Sequence, residues 1–277
     1  MPTEGTDNQS TPDLLLNNDE PPPFVTRNPD STRPILLVCD HASRLFPESL
    51  GTMGLDPGAR RCHLAWDIGA GALTEHLAAS LESTAVLCQY SRLVIDCNRQ
   101  LMDPGAFLEF GDGVVIPGNR NIRQAEKDRR AAEIYWPYHN GIENQLARFG
   151  ELGIQPIFVA IHSFTPVMNG HYRPCEIGIL WDTDRVTAEF FIHDFREAGY
   201  VVGDNEPYSG KAPQDFTIDH HAEAVNLSHV GIEIRQDLIH HDYGVEKVAE
   251  TLHKILETLP ARLTPTKIEP HNPGQIA

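Results

Sequence analysis

His41, His162 and Glu233 each stand within or just after an unbroken apolar run, in ILLVCDHAS, PIFVAIHSF and VGIEIRQD. Imidazole ligates zinc, copper, iron and nickel, and a catalytic zinc takes three protein ligands with a fourth position open. Two histidines delivered to one end of a sheet supply two of those ligands, and a carboxylate would supply the third. Asp67 in WDIGAG and Glu48 in HASRLFPE compete for that place, with His63 a weaker choice. Asp67 would equally serve as the N-terminal cap of a helix. No HExxH pair is present, which excludes the helix-borne zinc peptidase site.

Other residues suit a substrate anion and a proton. Arg99, next to Asn98 in SRLVIDCNR, has the planar fork that grips a carboxylate. Its bland alternative is that Arg92 and Arg99 pair with Asp96 or Asp40. Glu233 and Arg235 lie on the same face of a strand, opposite Ile232 and Ile234. A buried glutamate is costly unless paired or used, so Glu233 is either the structural partner of Arg235 or a general base. Ser163 and Thr165 in HSFTP, Asn205, Glu206 and Tyr208 in GDNEPYS, and His139 and His221 are polar candidates for substrate contact. Local turn chemistry would explain several of them equally well.

The elements that must position these groups alternate between strand and helix patterns. Strands are predicted over 35–39, 85–90, 92–97, 157–161, 176–181, 200–202 and 228–234. Helices are predicted over 68–82, with Leu73, Leu77 and Leu81 on one face, and over 123–149, 186–198 and 245–259. Pro137 should kink the second of these. Residues 103–121, rich in glycine and proline, read as a long loop. The pattern specifies the α/β class, with a mixed, mostly parallel sheet sandwiched between helices. We expect a disordered arm over 1–33, a single domain over 34–259 and a flexible tail over 260–277. GAGALTEHLAASL is not a dinucleotide loop, because Gly69 and Gly71 lack the third glycine of GxGxxG.

A net charge of -17, spread without long like-charge blocks, argues against nucleic acid as a partner unless a local basic cluster intervenes. No apolar stretch reaches the ~20 residues of a membrane helix, and the first residues lack the pattern of a signal peptide. Cys39, Cys88 and Cys97 fall inside apolar runs, where a thiol behaves as a small core hydrophobe. A cytoplasmic protein is expected; oligomeric state leaves no mark in the sequence.

CDHAS, WDIGAG, SRLVIDCNR, IPGN, YWPYH, HSFTP, GDNEPYS and GIEIRQDLI occur in an order that resembles the N-formylglutamate amidohydrolase family. The resemblance covers roughly residues 34–259. That family is similar to the zinc carboxypeptidase and aspartoacylase group, and the likeness implies a zinc-dependent hydrolase of N-acyl amino acids. It implies zinc on His41 and His162, a substrate carboxylate on Asn98 and Arg99, and Glu233 as base. Arg92 would stabilise the oxyanion, while Arg235, Ser163, Asn205 and His221 would contact substrate. The wider group has His-x-x-Glu where this chain has His41 followed by Ala42, Ser43 and Arg44. Asp67 or Glu48 must replace that glutamate. N-formyl-L-glutamate is the first substrate to test, although the HAS and HSFTP variants resemble a branch distinct from the histidine-degradation enzyme. The rivals are a non-catalytic anion-binding protein with a degenerate metal site, and a deacylase or carboxypeptidase-like enzyme for another N-acyl or peptide substrate.

Overall fold

The computed structural model describes residues 14–211 and 215–263. Its centre is a seven-stranded sheet in the order β1-β3-β2-β6-β11-β9-β10. The strands are β1 (Phe24–Arg27), β2 (Ile35–Cys39), β3 (Thr84–Cys88), β6 (Ile157–Phe164), β9 (Ile177–Leu180), β10 (Val202–Asp204) and β11 (His229–Arg235). Two small hairpins, β4 (Phe110–Gly111) with β5 (Val114–Val115) and β7 (Val167–Met168) with β8 (His171–Tyr172), lie outside it. The middle strands β3, β2, β6 and β11 are mutually parallel, whereas β1 and β9 run antiparallel to their inner neighbours. The carboxyl ends of β2, β6 and β11 therefore emerge side by side.

Strand periodicity divides the core into two layers. Leu37, Cys39, Val159, Ile161, Ile232 and Ile234 face helices α1 (Ala70–Leu81), α4 (Arg185–Glu197) and α6 (Asp242–Arg262). Leu36, Val38, Phe158 and Ala160 face the other layer, built on α3 (Trp136–Glu151) and α5 (Phe216–His221), with α2 (Gln124–Arg130) leading into it. His162 follows Phe158 and Ala160 at even spacing, and Glu233 alternates with Ile232 and Ile234. Both side chains thus project on the α3 and α5 side. The register places Glu233 directly opposite His162.

The glycines of WDIGAG set the approach of α1 to this sheet. Gly69 has φ +84°, and a Cβ there would overlap the carbonyl oxygen of Ile239; one on Gly71 would come within 2.6 Å of the carbonyl oxygen of Ala42. Close backbone contact of this kind requires glycine. It holds the turn before α1 against the end of β2, where the Asp67 amide donates to the His41 carbonyl at 3.0 Å.

Several expected elements change. The run 92–97 is buried but forms turns rather than a strand. Its backbone groups are satisfied elsewhere: the Asp96 amide donates to the Ala106 carbonyl, Asn119 Nδ2 to the Leu93 carbonyl and Arg130 Nη1 to the Val94 carbonyl. The helix expected over 123–149 is α2, one π-helical turn at Ala131–Tyr135 and α3. The backbone stays helical from α2 through the π turn into α3, so Pro137 is interior, and the irregularity falls on the turn just before it, near where its missing donor was expected to interrupt the helix. The strand expected at 200–202 begins only at Val202.

The arm expected to be disordered through residue 33 is ordered from Leu14 onward. Leu15 is fully buried, the Leu15 and Leu16 amides donate to the Glu133 carboxylate, and β1 pairs with β3. Composition alone could not reveal these distant partners. Residues 1–13 lie outside the described residues, as does the tail beyond Leu263, while 260–262 continue α6. No described helix is long and apolar enough to cross a membrane, and all five cysteines are free.

Candidate metal centre and cleft

His41 lies two residues past the end of β2, His162 lies within β6, and Asp67 precedes α1. Asp67 Oδ2 stands 3.3 Å from His41 Nδ1 and 2.9 Å from His162 Nδ1, and accepts the Ser163 amide at 3.2 Å. The three donor atoms lie within 4.8 Å of one another, and all three residues are buried. Glu48, the competing third ligand, sits on the surface with Asn17 Nδ2 3.4 Å from its carboxylate. His63 is half-buried with Nε2 3.3 Å from Asp112 and stays outside the group.

The far nitrogens of both imidazoles meet carboxylates. His41 Nε2 is 2.8 Å from Asp96 Oδ1, which also accepts the Asn98 amide at 2.9 Å. The other Asp96 oxygen takes Arg92 Nη2 at 2.6 Å and Nε at 3.1 Å. His162 Nε2 lies 3.3 Å from Asp40 Oδ2, at an angle that makes no hydrogen bond, while Asp40 Oδ1 accepts the Thr217 hydroxyl at 2.6 Å. Asp96 fixes the His41 ring and leaves its near nitrogen available as a donor to a metal, while Asp40 places negative charge behind His162. Two imidazoles and one carboxylate fit a divalent ion such as zinc.

The electrostatics agree with that fit. Burial alone would raise the Asp67 carboxyl, yet the charge of His41 and the hydrogen bonds from both histidines hold it well below the usual carboxylate range. Burial likewise opposes ionisation of Asp40, but His162 brings it down to about 2. His162 is pushed well upward by Asp40 and Asp67 against its burial. Three buried carboxylates, with Arg92 offsetting Asp96, therefore surround two imidazoles and favour further positive charge, which a divalent ion would supply.

A cleft of about 310 Å³ opens over the group, lined by His63, Arg92, Asn98, Arg99, Tyr208 and Asp215 among others. Glu233 faces it, and burial raises its carboxyl to about 7. Arg92 carries the expected bond to Asp96 and also lies 3.6 Å from Asp67 Oδ1. Asn98 Oδ1 accepts the Thr217 amide at 2.9 Å, and Arg99 Nη1 donates to the Asn98 carbonyl at 2.8 Å. Ser163 lines the cleft while its hydroxyl donates to the Ile68 carbonyl.

Three sequence candidates lie elsewhere. Arg235 forks onto Asp237, with Nε 2.8 Å from Oδ1, and its Nη1 reaches the carbonyls of Arg173, Pro174 and Cys175. It shares a face with Glu233, but at the last position of β11 those carbonyls are its neighbours, and no Glu233–Arg235 pair forms. Asn205 has φ +53° and uses Oδ1 to accept the amides of Trp181 and Gly210, which makes it a turn residue. His221 packs on His139, Nε2 to Nδ1 at 2.9 Å. Conversely, the supporting roles of Asp40 and Asp96 and the place of Asp215 in the cleft escaped sequence reasoning. The sequence offered Asp40 and Asp96 only as partners of Arg92 and Arg99; Asp40 precedes His41 directly, and Asp96 stands two residues before Asn98.

The model of the N-formylglutamate amidohydrolase family matches residues 33–240. A gene product of Agrobacterium tumefaciens has a crystal structure similar to this one, at 34% identity and TM-score 0.86, covering 90% of this chain and 98% of that one. The N-formylglutamate amidohydrolase of Ralstonia eutropha shares the fold, at 20% identity and TM-score 0.68, covering 87% and 97%. No curated protein matches the chain. Most of the folded chain, including every residue of the metal group and Glu233, falls within the matched range, and the chain belongs to the N-formylglutamate amidohydrolase family of hydrolases.

Proposed function

We propose that the protein is a metal-dependent amidohydrolase that cleaves the amide of an N-acyl amino acid, with N-formyl-L-glutamate the first substrate to test. The observation that carries this reading is the placement of Asp67 Oδ2 between the Nδ1 atoms of His41 and His162, with Glu233 facing the same cleft. A zinc ion held by His41, Asp67 and His162 would polarise the acyl carbonyl and acidify a water molecule. Glu233 takes the proton of the attacking water and returns it to the amine nitrogen as the C–N bond breaks, the task for which a carboxyl near neutrality is suited. Arg92 offers positive charge to the oxyanion. Arg99 and Asn98 hold the amino acid carboxylate, and Ser163 contributes to the wall beside it. Water and the amide thus yield the free acid and the amino acid, formate being the acid from a formyl substrate. An acidic surface and free cysteines suit a cytoplasmic enzyme of small molecules.

The test is a panel of N-formyl and N-acetyl amino acids assayed with and without zinc. Glu233→Gln should retain the metal and lose about 10²- to 10⁴-fold in kcat, the usual contribution of a general acid-base group. Undiminished turnover in that variant would exclude Glu233 as the base. No turnover on the whole panel by zinc-loaded wild type would favour an anion-binding protein.

A further inference from the structure

A second pair of buried histidines leads away from the cleft toward the surface. His139 on α3 and His221 at the end of α5 stack at 26°, with His139 Nε2 3.0 Å from the carbonyl oxygen of Cys97. Across the 2.9 Å contact between them, one of His139 Nδ1 and His221 Nε2 must donate and the other accept. A carbonyl can only accept, so His139 Nε2 carries the proton and His139 Nδ1 the lone pair. His221 must then donate from Nε2 across their 2.9 Å contact, which puts its own lone pair on Nδ1. Among the described residues nothing hydrogen-bonds that nitrogen.

Glu143, one turn along α3 from His139, and His220 complete the cluster. His220 Nε2 lies 3.5 Å from Glu143 Oε1, and both side chains are about half exposed. One donor atom from each of Glu143, His220 and His221 lies within 4.8 Å of the others. We propose that these three residues form a second divalent-cation site, for zinc or a similar borderline metal, separate from the His41, Asp67 and His162 group.

The donor set is again two imidazoles and a carboxylate. His221 is the rigid member: His139 occupies its Nε2 and stacks on its ring, which leaves His221 Nδ1 as the ligand atom, with His139 in the place of the outer partner that fixes a metal-ligating histidine. His139 is a positioning residue here. Tetrahedral ligands at bonds of about 2.0 Å lie about 3.3 Å apart, and the two exposed side chains can close that distance. Solvent access leaves a coordination position for water. The site is also tied to the cleft through α5, because Thr217 donates its amide to Asn98 and its hydroxyl to Asp40.

The experiment titrates the full-length, metal-stripped protein with zinc sulfate by calorimetry, beside His220→Ala and Glu143→Gln. Both substitutions remove exposed side chains and leave the fold intact, which circular dichroism checks. Each removes a proposed ligand and should weaken one zinc equivalent by more than the roughly 10- to 100-fold that loss of an outer partner alone costs. A third variant, His162→Ala, keeps the reading separate from the proposed catalytic site: it should spare the equivalent that His220→Ala weakens. Wild-type zinc binding in both surface variants would overturn the proposal, whatever the fate of the His41 group.

Discussion

Asp96→Asn isolates what a carboxylate behind a proposed metal ligand, His41, contributes. Asp96 is buried and accepts four donors: His41 Nε2 and the Asn98 amide on one oxygen, Arg92 Nη2 and Nε on the other. An amide of the same shape keeps one acceptor oxygen and turns an NH2 group toward the remaining donors. If that group faces Arg92, a guanidinium loses its counter-charge; the 25% exposure of the Arg92 side chain lets water soften that loss. If it faces His41, the imidazole must accept at Nε2 and move its proton to Nδ1, where it blocks the metal. Hydrogen bonds to charged groups contribute about 1.5–3 kcal/mol each, so losing one or two with partial compensation should destabilise the metal-free protein by about 3 kcal/mol. Zinc affinity should fall about 10- to 100-fold. Urea midpoints on metal-free protein and zinc calorimetry read the two effects separately. Unchanged zinc affinity would refute the assignment of His41 as a ligand oriented by Asp96.

Two further expectations separate site from scaffold. Arg99→Ala should raise KM for an N-acyl amino acid about 10- to 100-fold, the equivalent of one charge-assisted bond, whereas Arg235→Ala should leave KM alone and lower the urea midpoint. The reverse outcome in steady-state kinetics would restore Arg235 to the cleft. The His139 and His221 pair predicts an acid-sensitive fold. Both titrate in the folded protein below the ordinary value of 6.5, at about 4 and about 3. The unfolded chain therefore binds protons first, and the stability is intact above pH 6.5 and lost as pH falls toward 4. Urea midpoints at stepwise pH should show this slope flattened in the double variant His139→Gln, His221→Gln, and an identical slope would contradict it.

Much of the framework was legible because strand and helix periods are local. Unbroken runs such as ILLVC and PIFVAI announced parallel strands buried on both faces, and their ends announced His41 and His162. SRLVIDC has the same texture yet folds as turns, because Asn119 and Arg130, distant in sequence, satisfy its carbonyls. Residues 14–33 carry too little apolar content to signal order, and their partners Glu133 and β3 are remote. In the site, the backbone contact between the α1 turn and β2 brings Asp67, and not Glu48, to the two histidines, and glycine spacing only hints at that contact. Asp40 and Asp96 sit next to residues already under suspicion, but only tertiary geometry shows that they stand behind the two histidines. Arg235 illustrates the converse: strand alternation put it on the face of Glu233, and the end of the strand put it beyond the cleft.

The proposed mechanism needs a divalent ion on His41, Asp67 and His162. Its most direct measurement is anomalous diffraction at the zinc edge from crystals of zinc-loaded protein. A peak should appear about 2.0–2.1 Å from the Nδ1 atoms of both histidines and at a similar distance from Asp67 Oδ2. Fully loaded crystals with no anomalous density between those three atoms would contradict it.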